Sequence, residues 1–264
     1  MKIGYLQYDV QYRDVEKNIQ TIEKLLDGFD ADVMVLPELA FSGYYFESKK
    51  ALRDFIKPYE TYILERLQNM AQRFSVTLIA GSAERDHEKL YNTLYVVDAS
   101  GLKKKYRKRH LTDNETIFDA GDTLEVVDIQ GVKFGLGICF DSWFFEHARL
   151  LSLKGAEIIV YPSNFGGPWT PEVIRVRSLE NSVFTVLSNR IGSEMIEGED
   201  AAFSGGSFIT DTHGNLLTSP KSTTDIQVVH IDPKDANQKA TLICGDMEKE
   251  HRKYDRFIKV QTKK

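Results

Sequence analysis

The chain has 264 residues, 42% of them hydrophobic, and a formal net charge of −5. This is enough apolar material for one sizeable α/β domain, taken as residues 1–264 with a charged C-terminal tail from about residue 247, and it offers no global positive field for nucleic acid or an anionic membrane. No signal peptide is expected from the opening "KIGYLQYDV", no apolar run reaches about 18 residues, and two cysteines (Cys139 and Cys244) are too few for a disulfide framework or cysteine-rich zinc site. The expectation is a protein of the reducing cytoplasm that works on a small molecule.

Strand-like and helical runs alternate along the chain. "KIGYLQY" reads as a short strand, and Asp14 as the N-cap of a helix reaching Phe29, with Val15, Ile19, Ile22, Leu25, Leu26 and Phe29 on one face. "DVMVLPE" is a buried strand broken by Pro37, Thr61 to Phe74 a second amphipathic helix, and "VTLIAGSAE" and "NTLYVVDASG" two further strands. "LEVVDIQGVKFGLGIC" reads as a hairpin about a Gln-Gly turn. A helix near Glu146 to Lys154, the strand "EIIVYPS", a loop, and a helix starting near Pro171 follow. "VFTVLSN", "GGSFITDTHGN" and "IQVVHID" make a β-rich close, and "MEKEHRKYDRFIKVQTKK" reads as a solvated tail or partner-contacting arm. Hairpins mixed with strand-helix alternation favour α+β or layered α/β over a purely parallel sheet.

No GxGxxG after a strand, GxxxxGK[ST], HExxH or GxSxG is present, so the chain is expected to need neither cofactor nor metal. Three places stand out. Glu38 in "LPELAFSGY" directly follows an apolar strand, Lys108 lies inside the basic run "KKKYRKRHL", and Cys139 ends the glycine-studded strand "VKFGLGICFD". Taken singly, each has a plain reading: a surface glutamate, a solvated basic face, and a buried structural thiol.

Together, in their order and local wording, Glu38, Lys108 and Cys139 resemble the Glu-Lys-Cys triad of the nitrilase superfamily of carbon-nitrogen hydrolases, its amidase-like branch. "HLTDNETIFDAGD" is similar to the segment bearing that family's additional glutamate, here Glu115, and "LSLKGAEIIVYPSN", "RSLENSVFTVLSNRIG" and "FSGGSFITDTHGN" match later stretches. One departure is Phe144-Phe145-Glu146, where members often carry Phe-Pro-Glu.

The resemblance implies a four-layer αββα sandwich with the active site at the carboxyl ends of the strands, and a homodimer or higher homo-oligomer. It also implies thiol-dependent hydrolysis of a small linear amide, releasing ammonia and a carboxylic acid through a Cys139 thioester. N-carbamoyl amine hydrolysis, nitrilase action and a non-catalytic binding role are the alternatives on the same fold.

The chemistry fits these residue types. A thiol is mostly neutral at pH 7 and needs a base, a task for Glu38 if burial raises its pKa. Lys108 and the Phe140 backbone N–H would stabilise the oxyanion, and Glu115 would bond Lys108 or orient substrate. Asp141 would fix the turn after the nucleophile. Trp143, Phe144 and Trp169 would wall the pocket, Asn164 would contact substrate, and Arg175 or Arg177 would meet a substrate carboxylate. A Cys-His pair using His110 or His147, and nucleic-acid binding through Lys103 to Arg109, are the rival readings.

Overall fold

The computed structural model describes residues 1–196, 198–237 and 247–253; Cys244 and residues 254–264 of the charged tail lie outside the described residues. The first half runs β1 (Lys2–Gln7), α1 (Val15–Leu26), β2 (Val33–Val35), α2 (Lys49–Ile56), α3 (Glu60–Phe74), β3 (Thr77–Asp86), β4 (Lys89–Asp98) and β5 (Gly101–Arg107). After it come β6 (Val126–Ile129), β7 (Val132–Leu136), α4 (Phe145–Leu153), β8 (Ile158–Ser163), α5 (Trp169–Asn181) and β9 (Phe184–Asn189). The hairpin β10 (Ile191–Ile196) and β11 (Glu199–Ser204), then β12 (Phe208–Thr210), β13 (Asp225–His230) and α6 (Met247–Arg252), complete the order.

Two mixed sheets carry the fold, one ordered β13-β1-β2-β3-β4-β5 and the other β12-β9-β8-β7-β6. In the first, β1, β2 and β3 are parallel; in the second, β7, β8 and β9 are. Alternation along the strands sorts side chains into three buried clusters. Leu6, Met34, Leu78 and Val97 point one way, onto Ile19 and Ile22 of α1, Leu52 of α2 and Leu67 of α3. Ile3, Tyr5, Val35, Ile79 and Val96 point the other way, onto Phe134, Leu136, Val160 and Val186 of the second sheet. That sheet's far face packs Ile159, Tyr161 and Leu187 against Leu151 of α4 and Ile174 of α5. Helices, sheet, sheet and helices thus form the expected αββα sandwich, in which each sheet is buried on both faces.

The expected elements recur with local differences. Asp14 caps α1 by accepting from the Lys17 N–H, but the helix stops at Leu26 because Gly28 adopts φ +84°, leaving Phe29 exposed rather than on the packed face. The hairpin turn between β6 and β7 has φ +55° at Gln130 and +84° at Gly131, as a two-residue turn requires. Phe145, which departs from the Phe-Pro-Glu wording of the resemblance, still opens α4. The helix α2, the strand β5 and the β10–β11 hairpin were not expected. β5 is most of the basic run, its lysines and arginine paired along the sheet edge with Glu84, Asp86, Asp98 and Glu125.

Candidate active site

Glu38 leaves the carboxyl end of β2 in a loop pressed onto β3. A Cβ on Gly81 would lie 2.6 Å from Glu38 Cα, Leu39 N and Pro37 O, so only glycine permits this approach. The Glu38 carboxylate is fully buried, against its plain reading as a surface residue. Its Oε1 accepts from Lys108 Nζ and Asn92 Nδ2, both at 2.7 Å, while Oε2 has no hydrogen-bond partner among the described residues.

Lys108 follows β5 and is anchored to β4 by its N–H, 2.8 Å from the Asn92 carbonyl. Its fully buried ammonium also donates to both Glu115 oxygens at 2.8 Å. Glu115 ends a short 3-10 turn (Asp113–Glu115) and is held by its own Oε2, which accepts from the Thr112 N–H at 2.9 Å. The lysine inside a basic run is therefore the inward-facing member, clamped between two carboxylates.

Cys139 emerges past β7 at the start of a 3-10 turn (Cys139–Trp143), 7% exposed and with φ +43°, a left-handed conformation uncommon for a residue with a side chain. Asp141 maintains that turn: its Oδ2 accepts from the Ile138 N–H at 2.9 Å and the Tyr106 hydroxyl at 2.7 Å, and its Oδ1 accepts from the His110 N–H at 2.9 Å. The Ser142 hydroxyl donates to the Cys139 carbonyl at 2.7 Å, and the Asn164 backbone N–H bonds the thiol.

These groups perturb one another. Burial raises Glu38 to about 7, against the pull of Lys108 and with the repulsion of Glu115. Burial alone would lower Lys108, but the carboxylates of Glu38 and Glu115 outweigh it and hold the ammonium well above the usual lysine range. Burial pushes the Cys139 thiol up as well, reinforced by Glu38 and opposed by Lys108. Tyr44, buried close by, feels Lys108, Glu115, Glu38 and Cys139 and is also raised by burial. A buried thiol thus lies within electrostatic reach of a buried carboxylate whose pKa is raised to about 7.

The other expected residues take several places. Asn164 is buried with both side-chain polar atoms unpartnered among the described residues, so it is free to meet another molecule. Phe140 packs edge-on against Phe144, which stacks on His110 with centroids 3.7 Å apart. Trp143 is exposed and donates from Nε1 to the Thr170 hydroxyl, and Trp169 is 68% exposed. Arg175 donates to the Gly214 carbonyl and Arg177 to the Ser142 carbonyl, each also beside a glutamate, so neither stands ready as a free cation. The His110 ring bonds Asp141, and His147 contacts the Tyr106 hydroxyl at 3.1 Å, which ties both histidines to the support of the turn.

Two sets of residues escaped the sequence reading. Asn92, a polar interruption of the apolar strand "LYNTLYVV", bridges Glu38 and Glu115. Buried Glu194 of β10 accepts from the Tyr44 and Tyr45 N–H groups at 2.9 and 2.8 Å and pairs with fully buried Arg190. A cavity of about 480 Å³ opens beside this loop, lined by Tyr12, Tyr45, Phe46, Asp113, Asn114 and Met195. A cavity of about 530 Å³ lies elsewhere, around Gln72, Asp98, Lys103 and Gln130, and touches none of Glu38, Lys108, Glu115 and Cys139. Among the described residues, no cluster of three or more His, Cys, Asp or Glu is arranged to hold a metal ion, and no helix is long and apolar enough to cross a membrane.

An αββα sandwich with a thiol, an ammonium and two carboxylates at its strand ends is a fold of the nitrilase superfamily. The carbon-nitrogen hydrolase family profile matches residues 2–241, and the chain belongs to that family. It is 36% identical to a nitrilase of Pyrococcus abyssi over 88% of this chain and 90% of that protein. It is 33% identical to an N-carbamoylputrescine amidase of Solanum lycopersicum over 78% and 77% of the two chains. A crystal structure of a carbon-nitrogen hydrolase from Helicobacter pylori superposes with a TM-score of 0.82 at 26% identity, covering 90% of this chain and 91% of that one.

Proposed function

We propose that this carbon-nitrogen hydrolase cleaves the C–N bond of a small linear amide, with Cys139 as nucleophile, Glu38 as base and acid, and Lys108 as the cation that stabilises developing negative charge. The observation that carries this reading is the sealed arrangement of Lys108 between Glu38 and Glu115, which leaves Glu38 Oε2 unbonded in the same buried site as Cys139.

Attack begins as the Cys139 S–H proton passes to Glu38 and the S–C bond forms at the amide carbonyl. The carbonyl oxygen becomes an oxyanion, stabilised by the Lys108 charge and the Phe140 N–H at the opening of the 3-10 turn; one such donor contributes roughly 2.7–4 kcal/mol. Collapse breaks the C–N bond, and Glu38 returns its proton to the departing nitrogen, which leaves as ammonia. Water then attacks the thioester while Glu38 takes its proton; the S–C bond breaks, Cys139 is reprotonated, and a carboxylic acid is released. Glu115 keeps the ammonium directed inward. Asn164, whose amide has no partner among the described residues, would contact the substrate, and Trp143 and Phe144, whose rings pack on Phe140, would wall the pocket.

Exposed Trp169, Val176 and Leu179 on α5 support self-association of two or more copies. A reducing compartment such as the cytoplasm suits a free thiol nucleophile. The test of substrate class is ammonia release from short aliphatic amides, dicarboxylic ω-amides, N-carbamoyl amines and nitriles. Turnover of amides supports the reading. Turnover confined to nitriles or to N-carbamoyl amines moves it to the corresponding hydrolase, and a folded protein inert on all four classes overturns it.

A further inference from the structure

We propose that Asn92 is a positioning residue that commits Glu38 Oε2, rather than Oε1, to proton transfer, an inference that rests on the reading of Glu38 as the base. Oε1 of Glu38 accepts from Lys108 Nζ and from Asn92 Nδ2, each at 2.7 Å. Oε1 of Glu115 accepts from the same two donors, at 2.8 and 3.1 Å. Two carboxylate oxygens and two nitrogen donors therefore alternate around a closed ring. An sp² carboxylate oxygen has two lone pairs, and on Glu38 Oε1 both are taken. Oε2 of the same carboxylate is buried with no partner among the described residues. A proton delivered to Glu38 is thus directed to Oε2.

The orientation of the Asn92 amide follows from chemistry. Turned over, it would set Oδ1 against two carboxylate oxygens with no proton between them, so Nδ2 faces the pair. Asn92 is fully buried, and its carbonyl accepts from the Lys108 N–H at 2.8 Å. One residue on β4 therefore sets the backbone of the cation and the side chains of both acids. Without the Nδ2 bridge, Glu38 would be free to rotate about its last side-chain bond and to present either oxygen.

The consequence is a pH signature. The charged and titratable groups that act on Glu38 or feel its charge are Lys108, Glu115, Tyr44, Tyr45 and Cys139, from the loop after β2, the end of β5, the turn bearing Glu115 and the turn after β7. Asn92 donates to the ionised form of Glu38, so its loss makes that form less favourable and moves the titration to higher pH.

The experiment compares wild type with Asn92→Leu, which keeps volume and loses the donor, and with Asn92→Ser, small and polar but too short to bridge both carboxylates, as the second variant should the first fail to fold. Two pH profiles are recorded: kcat/KM for the best amide, and the rate of Cys139 alkylation by iodoacetamide without substrate, whose Glu38 midpoint is identified by its absence in Glu38→Gln. The expected result is an upward displacement of both midpoints by about half a unit or more, with kcat reduced at least tenfold and KM within about threefold. Unmoved midpoints in a folded variant overturn the proposal, including the case where only thermal stability falls. If wild type hydrolyses nothing, the functional reading fails by itself, and the alkylation profile still decides the role of Asn92.

Discussion

Lys108 Nζ lies 2.7 Å from Glu38 Oε1, and neither side chain has any exposed surface. An ammonium so placed neutralises charge that would otherwise be stranded in the interior. Lys108→Met leaves Glu38 and Glu115 buried without a counter-ion, and removing one partner of a buried pair costs about 3–5 kcal/mol. Urea denaturation is expected to show that loss, together with a fall in kcat of at least about 10²-fold. A lysine on a solvated basic face would cost little stability when replaced; the complete burial of Lys108 is what makes the replacement destabilising.

Glu38→Gln separates catalysis from stability. It removes the proposed base while Lys108 keeps Glu115, so kcat should fall by about 10²–10⁴-fold with the fold intact. In wild type, kcat/KM should rise with pH through about 7, where Glu38 ionises. The folded value is raised from the ordinary 4.5, so the stability contributed by this group is full below 4.5 and is lost as pH rises through about 7. Thermal melts of Glu38→Gln across that window should therefore show a smaller decline than those of wild type.

Asp141→Asn tests the support beneath the nucleophile. The carboxylate accepts from the Ile138 and His110 N–H groups and from the Tyr106 hydroxyl, and these bonds, with His110 and His147 beside it, hold its pKa below the usual aspartate value despite burial. An amide places a donor where an acceptor is required, at a cost of about 1–3 kcal/mol. The stability that Asp141 contributes is present above its ordinary value of 3.8 and is lost as pH falls through the lower folded value, so the gap between wild type and variant should narrow only in strong acid.

The φ of +43° at Cys139 predicts an inversion of the usual order of small residues. Cys139→Gly should melt above Cys139→Ala, because a side chain in the left-handed region costs roughly 1–2 kcal/mol and glycine relieves it. Both variants should be inactive. Equal or reversed melting temperatures would show that the turn is not strained.

The site was legible where a few adjacent residues carry it. Glu38 after Pro37, Lys108 in its basic run and Cys139 before Phe140 and Asp141 each have a local wording, and the apolar periodicity marked α1, α3 and most strands. The parts that were not legible depend on contacts between distant positions. Asn92 reaches Glu38 across 54 positions and Glu194 reaches the Tyr44 amide across 150, and a lone polar residue in a strand does not say what it faces. Ser48 caps α2 and its buried Leu52 and Ile56 share a face, but a pattern confined to 8 residues is too short to mark a helix in the sequence. β5 was masked by its charge, since its lysines lie along a sheet edge, where such residues discourage further pairing.

The proposed association of copies through the exposed Trp169, Val176 and Leu179 of α5 is checked by hydrodynamics. Sedimentation of wild type should give at least a dimer, and Leu179→Glu should shift it toward the monomer. The same helix holds the Ser142 carbonyl through Arg177, so loss of the interface should also lower turnover; monomers with full activity would show that α5 association does not support the site.

The proposed reaction passes through a covalent bond to Cys139. The most direct measurement is rapid-quench mass spectrometry of the enzyme during turnover of its best amide, followed by peptide mapping. The expected result is an increment equal to the acyl group on the peptide carrying Cys139 and none in Cys139→Ala. An acyl group on another residue, or undiminished ammonia release by Cys139→Ala, would contradict it.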